Sequence, residues 1–272
     1  MKERNEKEKK RVGKRQWRSA TLVAAACFAA ALVGITRGDS RPASKMQWQK
    51  VWGDDFDGAR LDNNKWTSFQ TGNNYNNELQ HYMYDEVWLH DGALTLNSRR
   101  RAFTGPDGAR EYTSGKVSTA RKFSFLYGTV EMRAKMPAGR GVWPAFWMLP
   151  ASEKSWPPEI DIFEMLGHEP HTLYLSNHRG LWPNHKADST SFTGPDFSEN
   201  FHTYTLEWAP GWLRWKIDGI TRKEVTTDVP NQPMYLILNT AVGGKWPGAP
   251  DQGTVFPQHF RIDYIHVYQS SR

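Results

Sequence analysis

The sequence predicts an all-β fold in which two antiparallel sheets stack face to face. The first reason is that short runs of alternating apolar and polar residues, separated by Gly, Pro, Asn and Asp, fill residues 46–272. The second is that no long segment of this region has the period of an amphipathic helix. The third is that the region contains no repeat and no low-complexity linker, which predicts one domain.

A basic segment comes first, at residues 1–18. It contains nine Lys or Arg and three Glu, and so accounts for the formal net charge of +6 of the whole chain. Residues 19–272 hold 26 basic and 26 acidic side chains. Because this larger part carries no net charge, the sequence predicts no nucleic-acid partner.

An uncharged apolar run follows at residues 19–36, and a polar linker at residues 37–45. A basic tail before an apolar helix is typical of an export signal or of a single N-terminal membrane anchor. We therefore expect an exported protein, secreted or periplasmic, or one anchored to the membrane by this run. Cleavage of the segment stays open. The only cysteine, Cys27, lies inside the run and is expected to be a spectator thiol.

The domain at residues 46–272 follows the linker, and its clearest strands alternate in character. Apolar residues recur at every second position in one segment, at Phe123, Phe125 and Tyr127, then at Val130, Met132 and Ala134. The same alternation flanks the turn at 209–211, and the run FRIDYIHVYQ can close a sheet. Strands at this density predict a sandwich with its core between the sheets.

The segment EIDIFEM places three carboxylates in a single predicted strand. Side chains alternate faces along a strand, so Glu159 and Asp161 share a face. Glu164 lies five positions after Glu159 and faces the other way in a regular strand. One extra residue in a β-bulge near Ile162 or Phe163 would restore the parity, and Phe163 is the expected extra residue.

Three neighbouring carboxylates repel one another, which raises the pKa of at least one of them. Hydrolysis of a glycosidic bond needs an ionised carboxylate beside a protonated one. With the bulge, the two glutamates can bring their carboxyl groups to about 5 Å, the separation found in glycosidases that retain the anomeric configuration. Two alternatives are a calcium site and a solvated face without chemistry.

The spacing of these acids resembles the E-x-D-x-x-E signature of glycoside hydrolase family 16, in its laminarinase-like group of endo-β-1,3(4)-glucanases. Lichenases of the family have the shorter E-x-D-x-E. Further segments resemble the family in the same order: NNELQHY, SGKVSTARKFSFLYGTVEMRAKMPAGRGVWPAFWMLP, FHTYTLEW, NTAVGGKWPG and IDYIHVYQ. The resemblance covers nearly all of residues 48–269 and implies a β-jelly-roll sandwich of the concanavalin A-like kind.

The resemblance also implies a double-displacement mechanism. Glu159 matches the nucleophile, Asp161 the assisting residue and Glu164 the acid/base, and this chemistry requires no cofactor. Pro158 departs from the Gly that laminarinase-like sequences commonly have before the nucleophile. Because the extra residue also occurs in agarases and carrageenases, the pattern supports the family more firmly than the substrate.

Substrate contacts are implied at positions that match the family. Flat aromatic side chains suit the apolar faces of sugar rings, and polar side chains suit their hydroxyls. The candidates are Trp143, Trp147, Trp246, Arg133, Asn77, Glu78 and His178. The alternatives are core tryptophans, surface or sheet-stabilising polar residues, and a structural histidine.

Asp263 in the closing run matches a ligand of the structural calcium ion that many family members carry, with backbone carbonyls near Asp57 and Gly92. A solvated aspartate is the alternative. The expected partner is a polysaccharide, a β-glucan or a related glycan, bound by a monomer that touches a membrane only through its N-terminal segment. The competing functions are an exopolysaccharide-processing glycanase or transglycosylase, and a carbohydrate-binding sandwich without catalysis.

Overall fold

A computed structural model describes residues 48–152, 156–180 and 183–271 of the chain. These residues belong to a compact unit that spans Lys45–Arg272. The predicted basic segment, apolar helix and linker lie outside the described residues, as does Cys27. Within the described ranges, no helix has the length and hydrophobicity needed to cross a bilayer.

One sheet has ten strands and forms the outer layer. Its central path runs β17-β16-β15-β10-β19-β5-β8-β3, while β1 pairs with β19 and β4 with β5. All neighbours are antiparallel except β3 and β8, which are parallel. The strands are β1 (Trp48–Asp54), β3 (Gln80–Tyr82), β4 (Val87–His90), β5 (Ala93–Arg99), β8 (Tyr112–Ser114), β10 (Gly128–Lys135), β15 (His202–Ala209), β16 (Trp212–Ile217), β17 (Ile220–Val225) and β19 (Gln258–Ser270).

The second sheet has seven antiparallel strands in the order β14-β13-β12-β11-β18-β9-β2 and is called here the cleft sheet. Its strands are β2 (Thr67–Ser68), β9 (Lys116–Ser118), β11 (Val142–Pro150), β12 (Glu159–Met165), β13 (Thr172–Arg179), β14 (Lys186–Thr193) and β18 (Met234–Val242). A hairpin of β6 (Phe103–Gly105) and β7 (Gly108–Arg110) and one short 3-10 helix (Tyr84–Glu86) complete the described elements.

The core lies between the two sheets and is made of alternate residues of both. In β10 the buried positions are Val130, Met132 and Ala134, as the alternation predicts, and the intervening residues point to solvent. In β11 the buried Phe146 and Met148 alternate with the partly exposed Trp147. The alternation confirms the predicted all-β jelly-roll sandwich and leaves the other face of each sheet free for polar and aromatic side chains.

Strand β12 carries the predicted bulge. Against β13, Asp161 pairs with Ser176 and Glu164 with Tyr174, so three steps on β12 span two on β13. Against β11, Phe163 still pairs with Phe146, and Ile162 is the residue without a partner. The bulge is therefore confirmed, but the expected extra residue was wrong: the alternation determines the parity, not which of two adjacent apolar residues lacks a partner.

Candidate active site

The three carboxylates of β12 open into one cleft on the exposed face of the cleft sheet. Glu159 and Glu164 pair with His178 and Tyr174, which lie four residues apart on β13 and therefore on the same face. The cleft has a volume of about 540 Å³, and Glu159, Asp161 and Glu164 all line it. The bulge thus brings together the acids that a regular strand would separate.

Glu159 lies at the start of β12, where two aromatic rings contact its carboxylate. The indole Nε1 of Trp156 donates a hydrogen bond to Oε2 at 3.0 Å. The imidazole Nε2 of His178 lies 3.6 Å from Oε1. The hydrogen bond from Trp156 stabilises a negative charge on Glu159, and His178 does the same when it is protonated.

Asp161 is almost fully buried beside Glu159. Its side chain is 3% exposed, and Oδ2 lies 2.9 Å from Nε2 of His178. Its backbone carbonyl accepts a hydrogen bond of 2.9 Å from Nε1 of Trp215, a buried residue of the outer sheet. The bulge interrupts the ladder at this point, so a side chain from the opposite layer satisfies the backbone carbonyl.

Glu164 accepts a hydrogen bond of 3.1 Å from Nε1 of Trp143 on the neighbouring strand. Burial is the largest cause that raises its pKa well above the ordinary value, and the charges of Asp161 and Glu159 raise the pKa further. The protonated form of this carboxyl group is therefore favoured more than in an ordinary glutamate.

The other two carboxyl groups also bind their protons more tightly than usual. Burial, together with the charge of Asp161, raises the pKa of Glu159 to about 8, although His178 and Trp156 oppose the effect. Burial raises the pKa of Asp161 as well, against the opposing charge of Lys223. The predicted repulsion between the acids therefore contributes to the raised pKa of Glu159 and of Glu164, but burial is the larger cause.

Aromatic side chains flank the carboxylates, as expected. Trp143 and Trp147 lie on the cleft face of β11 and line the cleft. Nε1 of Trp147 donates a hydrogen bond of 2.8 Å to Asn239. Trp246, 41% exposed, packs edge-on against Trp143 with ring centroids 5.5 Å apart and also contacts Tyr174. None of these three tryptophans is a core residue.

The loop that carries Trp246 approaches the sheet closely at Gly243, whose φ is +70°. A Cβ at this glycine would lie 2.5 Å from Leu79 Cδ1, so a larger residue would push the loop away. The same loop is tied to residues 76–78, because the backbone N–H of Lys245 donates to the carbonyl of Asn76 at 2.8 Å.

Polar side chains form the other side of the cleft. Glu78 lines it and accepts a hydrogen bond of 2.8 Å from Gln80, and burial raises the pKa of Glu78. Asn77 is exposed beside Glu78, but its neighbour Asn76 is the residue that lines the cleft. Lys116 also lines it, and burial lowers the pKa of Lys116.

The structure does not bring Arg133 and Asp263 to the cleft. Arg133 lies on β10 of the outer sheet, at one of the alternate positions that face away from the core. Its Nη1 is 2.5 Å from Asp263 Oδ2, and its guanidinium stacks on Phe201. The expectation of a substrate contact from Arg133 is corrected, because this face belongs to the opposite layer of the sandwich.

The position of Asp263 bears on calcium. Asp57 Oδ1 lies 3.6 Å from the position that a Cβ on Gly92 would take, and Gly92 directly precedes β5, whose Leu94 pairs with Ile262. Arg133 nevertheless neutralises the Asp263 carboxylate, so these residues fit a calcium ion only if the guanidinium moves away. The calcium ion stays a prediction.

Several residues of the site were not singled out from the sequence. Trp156, Lys116 and Tyr82 line the cleft, and so does Asn239, which connects Trp147 to the Tyr82 hydroxyl. All except Trp156 belong to segments that resemble the family, and Trp156 lies three residues before Glu159. A closer comparison of those segments could have identified them.

Known proteins are similar to this chain over most of its length. The family model described as "Glycosyl hydrolases family 16" matches residues 65–266. A beta-glucanase of Rhodothermus marinus is 33% identical, over 94% of this chain and 96% of that protein.

Solved structures agree with the sequence relatives. The endo-beta-1,3-glucanase of Pyrococcus furiosus has 36% identity and a TM-score of 0.79, over 84% of this chain and 97% of that chain. The laminarinase catalytic domain of Thermotoga maritima has 36% identity and a TM-score of 0.78, over 83% and 99%. The chain belongs to family 16 of the glycosyl hydrolases and is a hydrolase of glycosidic bonds.

Proposed function

We propose that this protein is an endo-acting β-glucanase that hydrolyses β-1,3 or mixed β-1,3/1,4 linkages and retains the anomeric configuration. The observation that carries the proposal is the bulge in β12, which turns Glu159, Asp161 and Glu164 to one face of a cleft lined by tryptophans. The names of the Rhodothermus, Pyrococcus and Thermotoga proteins, all glucanases or laminarinases, support the substrate class.

In the first step, the fraction of Glu159 that is ionised attacks the anomeric carbon and forms a glycosyl–enzyme ester. At the same time Glu164 gives its proton to the glycosidic oxygen, and the leaving sugar departs with a new hydroxyl. In the second step, water attacks the same carbon, Glu164 takes up the water proton, and Glu159 leaves as a carboxylate. Two inversions at one carbon give net retention.

The electrostatics support this division of roles. Repulsion between Glu159 and Glu164 disfavours the ionisation of both at once, so one of the pair keeps the proton that the acid role needs. Trp156 and His178 oppose the rise of the Glu159 pKa. Asp161, buried between the glutamates, concentrates the negative charge and so helps Glu164 to stay protonated.

The tryptophans and polar side chains of the cleft provide the groups that a glucan chain needs. Trp143 and Trp147 offer flat apolar surfaces to sugar faces, and Glu78, Lys116 and Asn239 offer partners to hydroxyls. The intact carboxylates favour an enzyme over a binding module, since recognition alone does not need an acid beside a nucleophile. The N-terminal basic and apolar segments support an exported or membrane-anchored location.

The direct test is to incubate the full-length protein with laminarin, curdlan, lichenan, xyloglucan and agarose and to follow product sizes. We expect short oligosaccharides from laminarin, curdlan or lichenan. NMR spectra recorded during the reaction should show the β-anomer of the products before the α-anomer. Release from agarose alone would contradict the substrate class, and no release from any of the five would contradict the proposed activity.

Azide rescue tests the roles of the two glutamates. In Glu159→Gly, azide can take the place of the missing nucleophile and give an α-glycosyl azide from an aryl β-glycoside with a good leaving group. In Glu164→Ala, azide can attack the glycosyl–enzyme and give a β-glycosyl azide. The exposed Glu111→Gln is a matched control for loss of a carboxylate and should keep full activity. Exchange of the two azide products would mean that the two roles are reversed.

A further inference from the structure

Three side chains of different chemistry converge at the start of β12. Within the described ranges, Glu159, Asp161 and His178 form the one group whose carboxylate oxygens and imidazole nitrogen all lie within 4.8 Å of one another. His178 Nε2 is 2.9 Å from Asp161 Oδ2 and 3.6 Å from Glu159 Oε1. Other His–acid pairs, such as His90 with Asp91, bring together two atoms that could bind a metal ion, rather than three.

The second observation concerns Asp161 Oδ2. This oxygen has no hydrogen-bond partner, and because Asp161 is only 2% exposed, water does not replace the missing donor. Nε2 of His178 lies 2.9 Å from this oxygen but forms no hydrogen bond with it. A buried carboxylate oxygen without a donor is costly, and a cation between the two atoms would satisfy it.

The distances fit a small transition-metal ion. Zinc binds nitrogen and oxygen at about 2.0–2.2 Å in a tetrahedron, which sets its ligand atoms about 3.4 Å apart. In the structure, His178 Nε2 lies 2.9 Å from Asp161 Oδ2 and 3.6 Å from Glu159 Oε1, on either side of that value. An imidazole nitrogen disfavours calcium and magnesium, which take oxygen ligands, and suits zinc.

His185 gives His178 the partner that a metal-binding histidine needs. His178 Nδ1 lies 2.9 Å from His185 Nε2, and the two rings stack with centroids 5.2 Å apart. Trp156 covers His185 at 4.6 Å. When Nδ1–H of His178 donates to His185, the lone pair of Nε2 faces the carboxylates, which is the tautomer required for a ligand.

We propose that Glu159, Asp161 and His178 bind one divalent transition-metal ion of the zinc class, and that His185 holds His178 in the ligating tautomer. The bound ion is coordinated by the carboxylate of Glu159 and keeps the sugar ring away from this carboxylate. Zinc therefore inhibits hydrolysis competitively and reversibly. The inhibition rests on the proposed function, whereas the binding does not.

The test titrates Zn²⁺ into the full-length protein by isothermal calorimetry and records the visible absorption of the Co²⁺ complex. We expect one ion per chain and the intense absorption of tetrahedral Co²⁺. Asp161→Asn and His178→Asn should each weaken Zn²⁺ binding by more than about 100-fold, and His185→Phe by about 10–100-fold. The exposed His90→Ala is the control and should bind as the parent does.

Activity provides the second readout. Zn²⁺ should raise the apparent KM for the glucan without lowering kcat, and EDTA should reverse the effect. Unchanged Zn²⁺ affinity in both Asp161→Asn and His178→Asn, each checked for folding by circular dichroism, would overturn the proposal. Purely noncompetitive inhibition would overturn the assigned location of the ion. If no glucan is hydrolysed, the calorimetric result still decides the metal site, so the two failures are distinguishable.

Discussion

Replacement of Glu159 by Gln should stabilise the protein, and the gain should grow with pH. The pKa of Glu159 rises from an ordinary 4.5 to about 8 in the folded state, chiefly through burial. Between these values the folded protein holds one proton more than the unfolded chain. Raising the pH therefore favours unfolding, by up to 1.36 kcal/mol for each pH unit, and glutamine removes this dependence.

The expected size follows from the same numbers. Between pH 5 and pH 7 the parent should lose about 2–3 kcal/mol relative to Glu159→Gln, because the unfolded glutamate ionises over this range while the folded one stays protonated. Relief of Glu164, whose pKa the charge of Glu159 raises, acts in the same direction above that range. A weaker hydrogen bond from Trp156 to the glutamine changes the difference between the two proteins at every pH, but not its slope.

Urea unfolding at pH 5, 6 and 7 measures the effect as the difference in free energy of unfolding between variant and parent. Glu111→Gln, on the exposed surface, controls for the loss of one negative charge. A difference that stays constant from pH 5 to pH 7 for Glu159→Gln, or one that Glu111→Gln reproduces, would refute the reasoning that burial keeps Glu159 protonated.

Three further predictions concern the groups that hold the site together. Trp215→Phe should lower the free energy of unfolding by about 1–3 kcal/mol, measured in urea, because the buried carbonyl of Asp161 loses its donor. Deletion of Ile162 should preserve the fold and measurable glucanase activity, because four steps from Glu159 to the second glutamate keep both on one face. Insertion of Ala after Ile162 should abolish activity, because six steps of a regular strand keep the glutamates on one face but set their Cα atoms about 20 Å apart. Trp143→Phe should move the alkaline limb of the profile of kcat/KM against pH to higher pH. The reason is that the Glu164 carboxylate loses a hydrogen bond that lowers its pKa.

Each of these variants has its own control. Tyr204→Phe removes a buried hydroxyl that has no hydrogen-bond partner, so it should change stability far less than Trp215→Phe. Circular dichroism separates loss of activity from loss of fold in the insertion variant. An unchanged pH profile in Trp143→Phe would show that its indole does not influence the acid, and an active insertion variant would argue against the separation of the two glutamates that we infer.

The sequence predicted that Glu164 joins the other two acids only if β12 carries a bulge, because alternation alone places it on the opposite face. It could not assign the extra residue, since Ile162 and Phe163 are equally apolar and both end buried. Arg133 shows a different limit. Its neighbours Met132 and Ala134 indicate that it faces away from the core, but strand order alone decides which of two outer faces that is.

Contacts between distant segments account for the rest of what was missed. The bond of Trp147 to Asn239 joins residues 92 positions apart, and that of Trp215 to Asp161 joins residues 54 positions apart. No local pattern encodes such pairs, because each partner has an ordinary place in its own strand. His185 was missed although its partner His178 is only seven positions away, because the antiparallel pairing of β13 with β14, and not a local pattern, brings the two rings together.

Because of the bulge in β12, the number of residues between the two glutamates can differ by one while both still face the cleft. A strand of either length can present two glutamates to the same cleft, provided that the longer form displaces one apolar residue into the core. Loss or gain of a single codon between the acids, followed by one compensating rearrangement of packing, is therefore a short evolutionary step rather than a change of mechanism. We expect related enzymes with the two spacings to share one catalytic geometry, while differences in their loops determine which substrate each enzyme binds.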